Sequence, residues 1–233
     1  GLSISVIARR RAAQVSLGDG GDRHLLNRIR AQAHFTEYLP LALLALGPAA
    51  AAGALNAPTV AFGDGDGEFV FNHTDTDYEF SAGFAGGGAS SLISHHAGVT
   101  RLTGDSSAFA GALAIHDGTV FIDNSFGGAV DVLGGVLGGI GSAGDLSLFS
   151  GATLAPRASI GTLSVASAHF APGSIFEVEI NDSGQSDLLS ATGAVTIDGG
   201  EVFVLAQAGT YAPQTQYTII EGASVTGVFD AVT

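Results

Sequence analysis

The stretch Ala112–Gly139, ALAIHDGTVFIDNSFGGAVDVLGGVLGG, decides the fold. ALAI, TVFI and AVDV carry apolar residues at i and i+2, and Gly, Asp, Ser or Asn fills the gaps between them. Period-two alternation puts the apolar side chains of each short strand on one face, and the small residues supply the turns. The same reading extends in both directions. EFVFNH (Glu68–His73) and DYEFSAGF (Asp77–Phe84) lie upstream. DLSLFSGATLAP, IGTLSVAS, HFAPGSIFEVEIN, AVTIDGGEVFVLA and QYTIIEG follow, the last ending at Gly222. A single unit of this kind cannot bury its own apolar face, whereas stacked units form a continuous core. Residues from about 60 to 230 are therefore predicted to form one elongated right-handed parallel β-helix. A β-sandwich, built from antiparallel hairpins, is the rival.

The chain changes character near Pro58. Six of its eight basic residues, all arginines, lie before Gly53; only Arg101 and Arg157 follow. The formal net charge is −14, and the scarcity of cations after Gly53 excludes a phosphate-neutralising nucleic-acid surface there. Glycine, at 35 residues, is about twice its usual share and has no collagen period. The absence of cysteine removes disulfides, thiolate nucleophiles and sulfur metal ligands.

Residues 1–57 read differently. GLSISVIA ahead of Arg9-Arg10-Arg11 resembles the end of an apolar helix at a basic membrane margin. VSLGDGGD is a polar turn, and residues 22–46 are predicted to be largely helical and to pack little against the β region. Arg28 and Arg30 ahead of LPLALLAL, with small residues after it, also fit a secretory signal. The fold expected for the whole is thus mainly β, preceded by a short α-helical, membrane-type segment.

Two family resemblances follow from these residues. VSLGDGGDRHLLNRIRAQAHFTEYLPLALLAL (Val15–Leu46) resembles the MAPEG family of membrane proteins of eicosanoid and glutathione metabolism, through Arg30-Ala31, His34-Phe35 and Glu37-Tyr38-Leu39-Pro40. That resemblance implies glutathione contacts for Arg30 and Glu37, although His34 stands where the family has Asn and most of that fold has no counterpart here. Residues 58–233 resemble the passenger stem of bacterial autotransporters (type V secretion). The phrases that carry it are FVFNHTDTDYEF, RLTGDSSAFAGALAIHDGTVFID and Pro156-Arg157-Ala158-Ser159-Ile160-Gly161-Thr162-Leu163, where Arg157 replaces the usual Gly. This resemblance implies a surface-exposed or secreted stem, an outer-membrane β-barrel translocator downstream as partner, and a structural role without catalysis or cofactor. A host surface ligand is conceivable on this reading, and the N-terminal segment would associate with a membrane.

Several polar groups invite chemistry. Gly63-Asp64-Gly65-Asp66-Gly67-Glu68 clusters carboxylates as a Ca²⁺ seat would, without EF-hand spacing. His73, Asp75 and Asp77 alternate and would share one face of a strand, while His95 and His96 would point to opposite faces. Asp182, Ser186 and Asp187 suggest a hydrolase, yet no nucleophile elbow accompanies them. Glu177 and Glu179 share a strand face. No catalytic or metal-ligating residue is assigned. The stretch Ile160–Phe229 is expected to be the most stable, with Phe170, Phe176, Phe203, Tyr211 and Tyr217 inside or capping the column, and Gly83–Gly98 the poorest in buried surface.

Overall fold

A computed structural model describes residues 51–53, 55–63, 67–156 and 160–233. The predicted helix over 22–46 lies outside them. Among the described residues there are twenty strands and no α-helix. In chain order they are β1 (Thr59–Phe62), β2 (Glu68–Asn72), β3 (Tyr78–Phe80), β4 (Gly83–Gly86), β5 (Leu92–Ala97), β6 (Val99–Leu102) and β7 (Ala112–Ile115). Next come β8 (Thr119–Ile122), β9 (Ala129–Val132), β10 (Val136–Gly138), β11 (Ser142–Leu148), β12 (Thr153–Leu154) and β13 (Thr162–Phe170). The last are β14 (Ile175–Ile180), β15 (Leu188–Ala191), β16 (Ala194–Ile197), β17 (Glu201–Ala206), β18 (Ile220–Glu221), β19 (Ser224–Gly227) and β20 (Ala231–Val232).

Every pairing between these strands is parallel, and partners are one coil apart in sequence rather than adjacent. One wall runs β3-β6-β8-β10-β12-β14-β17-β20 and the other β2-β5-β7-β9-β11-β13-β15-β18. Strand β13 is long enough to pair with β15 over its first half and β16 over its second, and β16 then pairs with β19. A third wall is sparser. It consists of β1 against β4, continued by the parallel bridges Gly86 to Phe109, Ser106 to Phe126 and Ser125 to Ser142. This is the stacked-rung architecture of a parallel β-helix, and its parallel pairs exclude the hairpins of a sandwich.

The core follows from the register. One internal ladder is Phe69, Ile93, Leu113, Val130, Leu146, Ala168 and Val195; beside it run Phe71, His95, Ile115, Val132, Leu148, Phe170 and Ile197. The facing wall contributes Tyr78, Thr100, Val120, Leu137, Leu154, Phe176 and Val202. Apolar side chains stack on apolar side chains along most of each ladder, so each unit is closed by its neighbours and not by itself.

Two expectations about the core are corrected. Phe203 is 42% exposed, because the pairing of Phe176 with Val202 turns Val202 inward and leaves Phe203 outside. Phe203→Ala should therefore change the unfolding free energy by only about 0.5–1 kcal/mol in denaturant titration. Gly83–Gly98 is not poor in buried surface. It contributes Phe84 and Ile93, and Phe84 lies within a ring cluster with Phe62, Phe69, Phe71, Phe80 and Phe109 at centroid separations of 5.0–6.3 Å. At the other end Phe170, Phe176 and Phe229 pack together, whereas Val225, Val228 and Val232 of the last rung are exposed. Tyr211 and Tyr217 lie at the margin and donate their hydroxyls to the carbonyls of Ile180 and Gln207 and of Asn181, respectively.

Candidate functional site

Within otherwise apolar ladders, three buried polar side chains meet near the first rungs: His73, just after β2, His95 on β5 and Thr100 on β6. The imidazole of His95 occupies the ladder position between Phe71 and Ile115, and Thr100 the position between Tyr78 and Val120. His73 Nε2 lies 2.8 Å and His95 Nε2 3.1 Å from Thr100 Oγ1, and His95 Nδ1 lies 2.8 Å from the carbonyl oxygen of Asp117.

The donors and acceptors can be assigned in order. A carbonyl only accepts, so His95 carries its proton on Nδ1. Its neutral Nε2 then accepts from the Thr100 hydroxyl, and that hydroxyl oxygen accepts from His73 Nε2–H. His73 Nδ1 is left as a bare acceptor, buried and without a hydrogen-bond partner among the described residues. Gly98, at φ +85°, lies directly over it: a Cβ at that position would come within 2.4 Å of His73 Nδ1. Gly118 stands in the same relation to His95 one coil later, with a would-be Cβ 2.9 Å from His95 Cε1. Backbone freedom at these two glycines is what lets the turns close over the rings.

Burial dominates the electrostatics. Desolvation lowers the pKa of His73 against the opposing pull of Asp75. It lowers His95 to about 4, despite the Asp117 carbonyl and carboxylate, with His73 and His96 adding to the depression. On the outside of the same rungs His96 and His116 stack in parallel, 4.5 Å between centroids. The opposite-face expectation for His95 and His96 therefore holds: one is inside and the other exposed.

The other sequence candidates disperse. Arg30, Glu37, Asp64 and Asp66 lie outside the described residues. Glu68 accepts from Ser94 Oγ on the next rung at 2.6 Å. His73, Asp75 and Asp77 do not share a strand face, because the chain turns between β2 and β3. Asp75 accepts the Ala52 N–H, and Asp77 pairs with Arg101 at 2.8 Å. Arg101 also binds Asp123 at 2.8 Å and lies 4.6 Å from the centre of the Phe121 ring, which ties three successive outer rungs. Asp182 accepts from Thr210 N–H, and Ser186 donates to the Thr218 carbonyl, so neither forms a triad. Asp187 is buried and accepts the Gly161 and Glu179 N–H groups, both at 2.8 Å. Glu177 and Glu179 lie on the outward side of β14, alternating with buried Phe176 and Val178. Among the described residues no three His, Cys, Asp or Glu side chains are grouped to hold a metal.

The sequence displayed each residue of the His73–Thr100–His95 chain but not their meeting, since Thr100 is 27 residues from His73. The available signal was polarity at inward positions of alternating strands.

No family model matches the chain. It is 36% identical over 115 residues, 47% of its length, to the adhesin BmaC autotransporter of Brucella suis biovar 1 (strain 1330). The chain spans only 3% of the length of that curated relative. Over those residues the chain is similar to a segment of an autotransporter adhesin, and its parallel-strand column is compatible with that likeness.

Proposed function

We propose that residues 58–233 act as a surface-exposed passenger stem of a bacterial autotransporter, with a structural and secretory role and no catalysis of their own. The observation that carries this reading is the uninterrupted parallel column in a chain that resembles an autotransporter adhesin over nearly half its length. A right-handed coil is proposed with it, since parallel crossovers are almost always of that hand. Such a column folds by adding rungs, so folding outside the cell biases export and holds a distal region away from the surface. The longest registers, β11 with β13 and β14 with β17, support a start toward the C-terminal side. The proposed partner is an outer-membrane β-barrel translocator encoded downstream of Thr233. The glutathione reading of Arg30 and Glu37 has no described residue behind it.

Protease treatment of intact cells that produce the chain tests the assignment. Peptides from residues 58–233 should be released without lysis. Recovery of those peptides only after lysis would reject a surface role.

A further inference from the structure

We propose that the His73–Thr100–His95 chain is an acid-sensitive latch that keeps the first rungs, Thr59–Leu102, closed while both imidazoles are neutral and lets them open on protonation, with the column beyond Thr119 remaining folded. The inference rests on the fold alone and does not depend on where the protein resides.

The geometry makes protonation disruptive. A proton on His95 Nε2 turns it from an acceptor into a donor aimed at Thr100 Oγ1. The threonine hydroxyl, which donates to that nitrogen in the neutral state, loses its acceptor. A proton on His73 Nδ1 faces Gly98 and finds no acceptor among the described residues. Both events place charge inside a low-dielectric column, where an unpaired ion is costly.

The neighbouring acids offset this burial cost only in part. Asp75 faces His73 but already accepts the Ala52 N–H. Asp117 lies beside His95, and its carboxylate accepts the Gly118 N–H. Tyr78 packs edge-on against His73 at 5.2 Å, and its hydroxyl donates to the Gly53 carbonyl. Arg101, next to Thr100, is engaged outward with Asp77 and Asp123. Ala52 and Gly53 are thus held by side chains that adjoin the latch, so opening it frees this N-terminal strap as well.

The direction with pH follows from the lowered histidines. Their folded values lie below the ordinary 6.5, so the closed form is fully favoured above that value. It is progressively lost as pH falls from 6.5 toward the folded value of about 4, where the loss from His95 is complete. The effect stays in the first rungs because each contacts only its neighbours.

Hydrogen exchange of the full chain, corrected for intrinsic rates, tests the latch at about pH 7.5 and about pH 5. Exchange in Thr59–Leu102 should accelerate about 30-fold, the factor set by His95 alone, with Thr119–Ala206 little changed. The triple variant His73→Phe, His95→Leu, Thr100→Val should abolish the step. If that variant does not fold, proton NMR titration of the wild-type histidines still decides: the His95 ring should titrate at about 4 and the His73 ring below 6.5, concurrently with the opening. Equal acceleration along the whole column, no acceleration in the first rungs, or two buried rings titrating near 6.5 would each overturn the proposal.

Discussion

Phe84→Ala is expected to cost about 3–5 kcal/mol and to open the first rungs before the rest of the column. Phe84 is 1% exposed, and its ring meets Phe69 edge-on at 5.2 Å and stacks on Phe80 at 5.0 Å with 14° between planes. It also contacts Phe62, Phe71 and Phe109, so it joins the sparse third wall to both main sheets. Truncation removes the transfer energy of a full aromatic ring and leaves a cavity bordered by other rings, which cannot collapse without breaking their mutual packing. Chemical denaturation followed by tyrosine fluorescence and by exchange would measure both the cost and its location. A loss below about 1 kcal/mol, the range of ordinary surface changes, would show that the aromatic cluster does not hold this end together.

Asp187→Ala carries the second large expected effect, about 2–4 kcal/mol. Its two carboxylate oxygens accept from Gly161 N–H, just before β13, and from Glu179 N–H on β14. The side chain thus joins the start of one wall to a strand of the other, at the point where β15 begins. Alanine leaves two amides without their acceptor in a place water hardly reaches. Asp187→Asn restores only one acceptor and directs an NH₂ group at the other amide, so it should recover part of the loss and not all of it. Burial raises the pKa of Asp187, opposed by the two amide bonds, and nearby Glu179 and Glu177 raise it further. The sign is therefore the reverse of a salt-bridged carboxylate. The folded state holds the proton more tightly than the unfolded chain, and ionisation of Asp187 subtracts stability as pH rises through its folded value. Comparing wild type and the alanine variant in urea across the acidic range measures both terms. Equal stability of the two proteins at neutral pH would sink the structural role assigned to this carboxylate.

What the sequence by itself determined is the strand pattern and that adjacent residues of one strand face opposite ways. Alternation with small turn residues separates inside from outside without reference to any distant contact, which is why His95 and His96 were correctly placed on opposite faces. The repeated strand–turn units likewise required stacking, because no single unit offers enough surface to bury. Where both sets of alternate residues are apolar, the pattern loses its phase. In EVFVLA, Val202 and Val204 or Phe203 and Leu205 could equally have faced inward, and only the parallel register against Phe176 on β14 turned Phe203 to the outside. The tertiary structure also decided which residues meet. His95 and Thr100 lie on consecutive strands of one coil, and His73 joins them because one turn of the solenoid returns the chain to the same point, at a spacing that no local periodicity specifies. Asp187 was read as one of three polar residues of a possible hydrolase. The stacked rungs instead bring two backbone amides to it, and a buried acceptor with two donors is a structural tie.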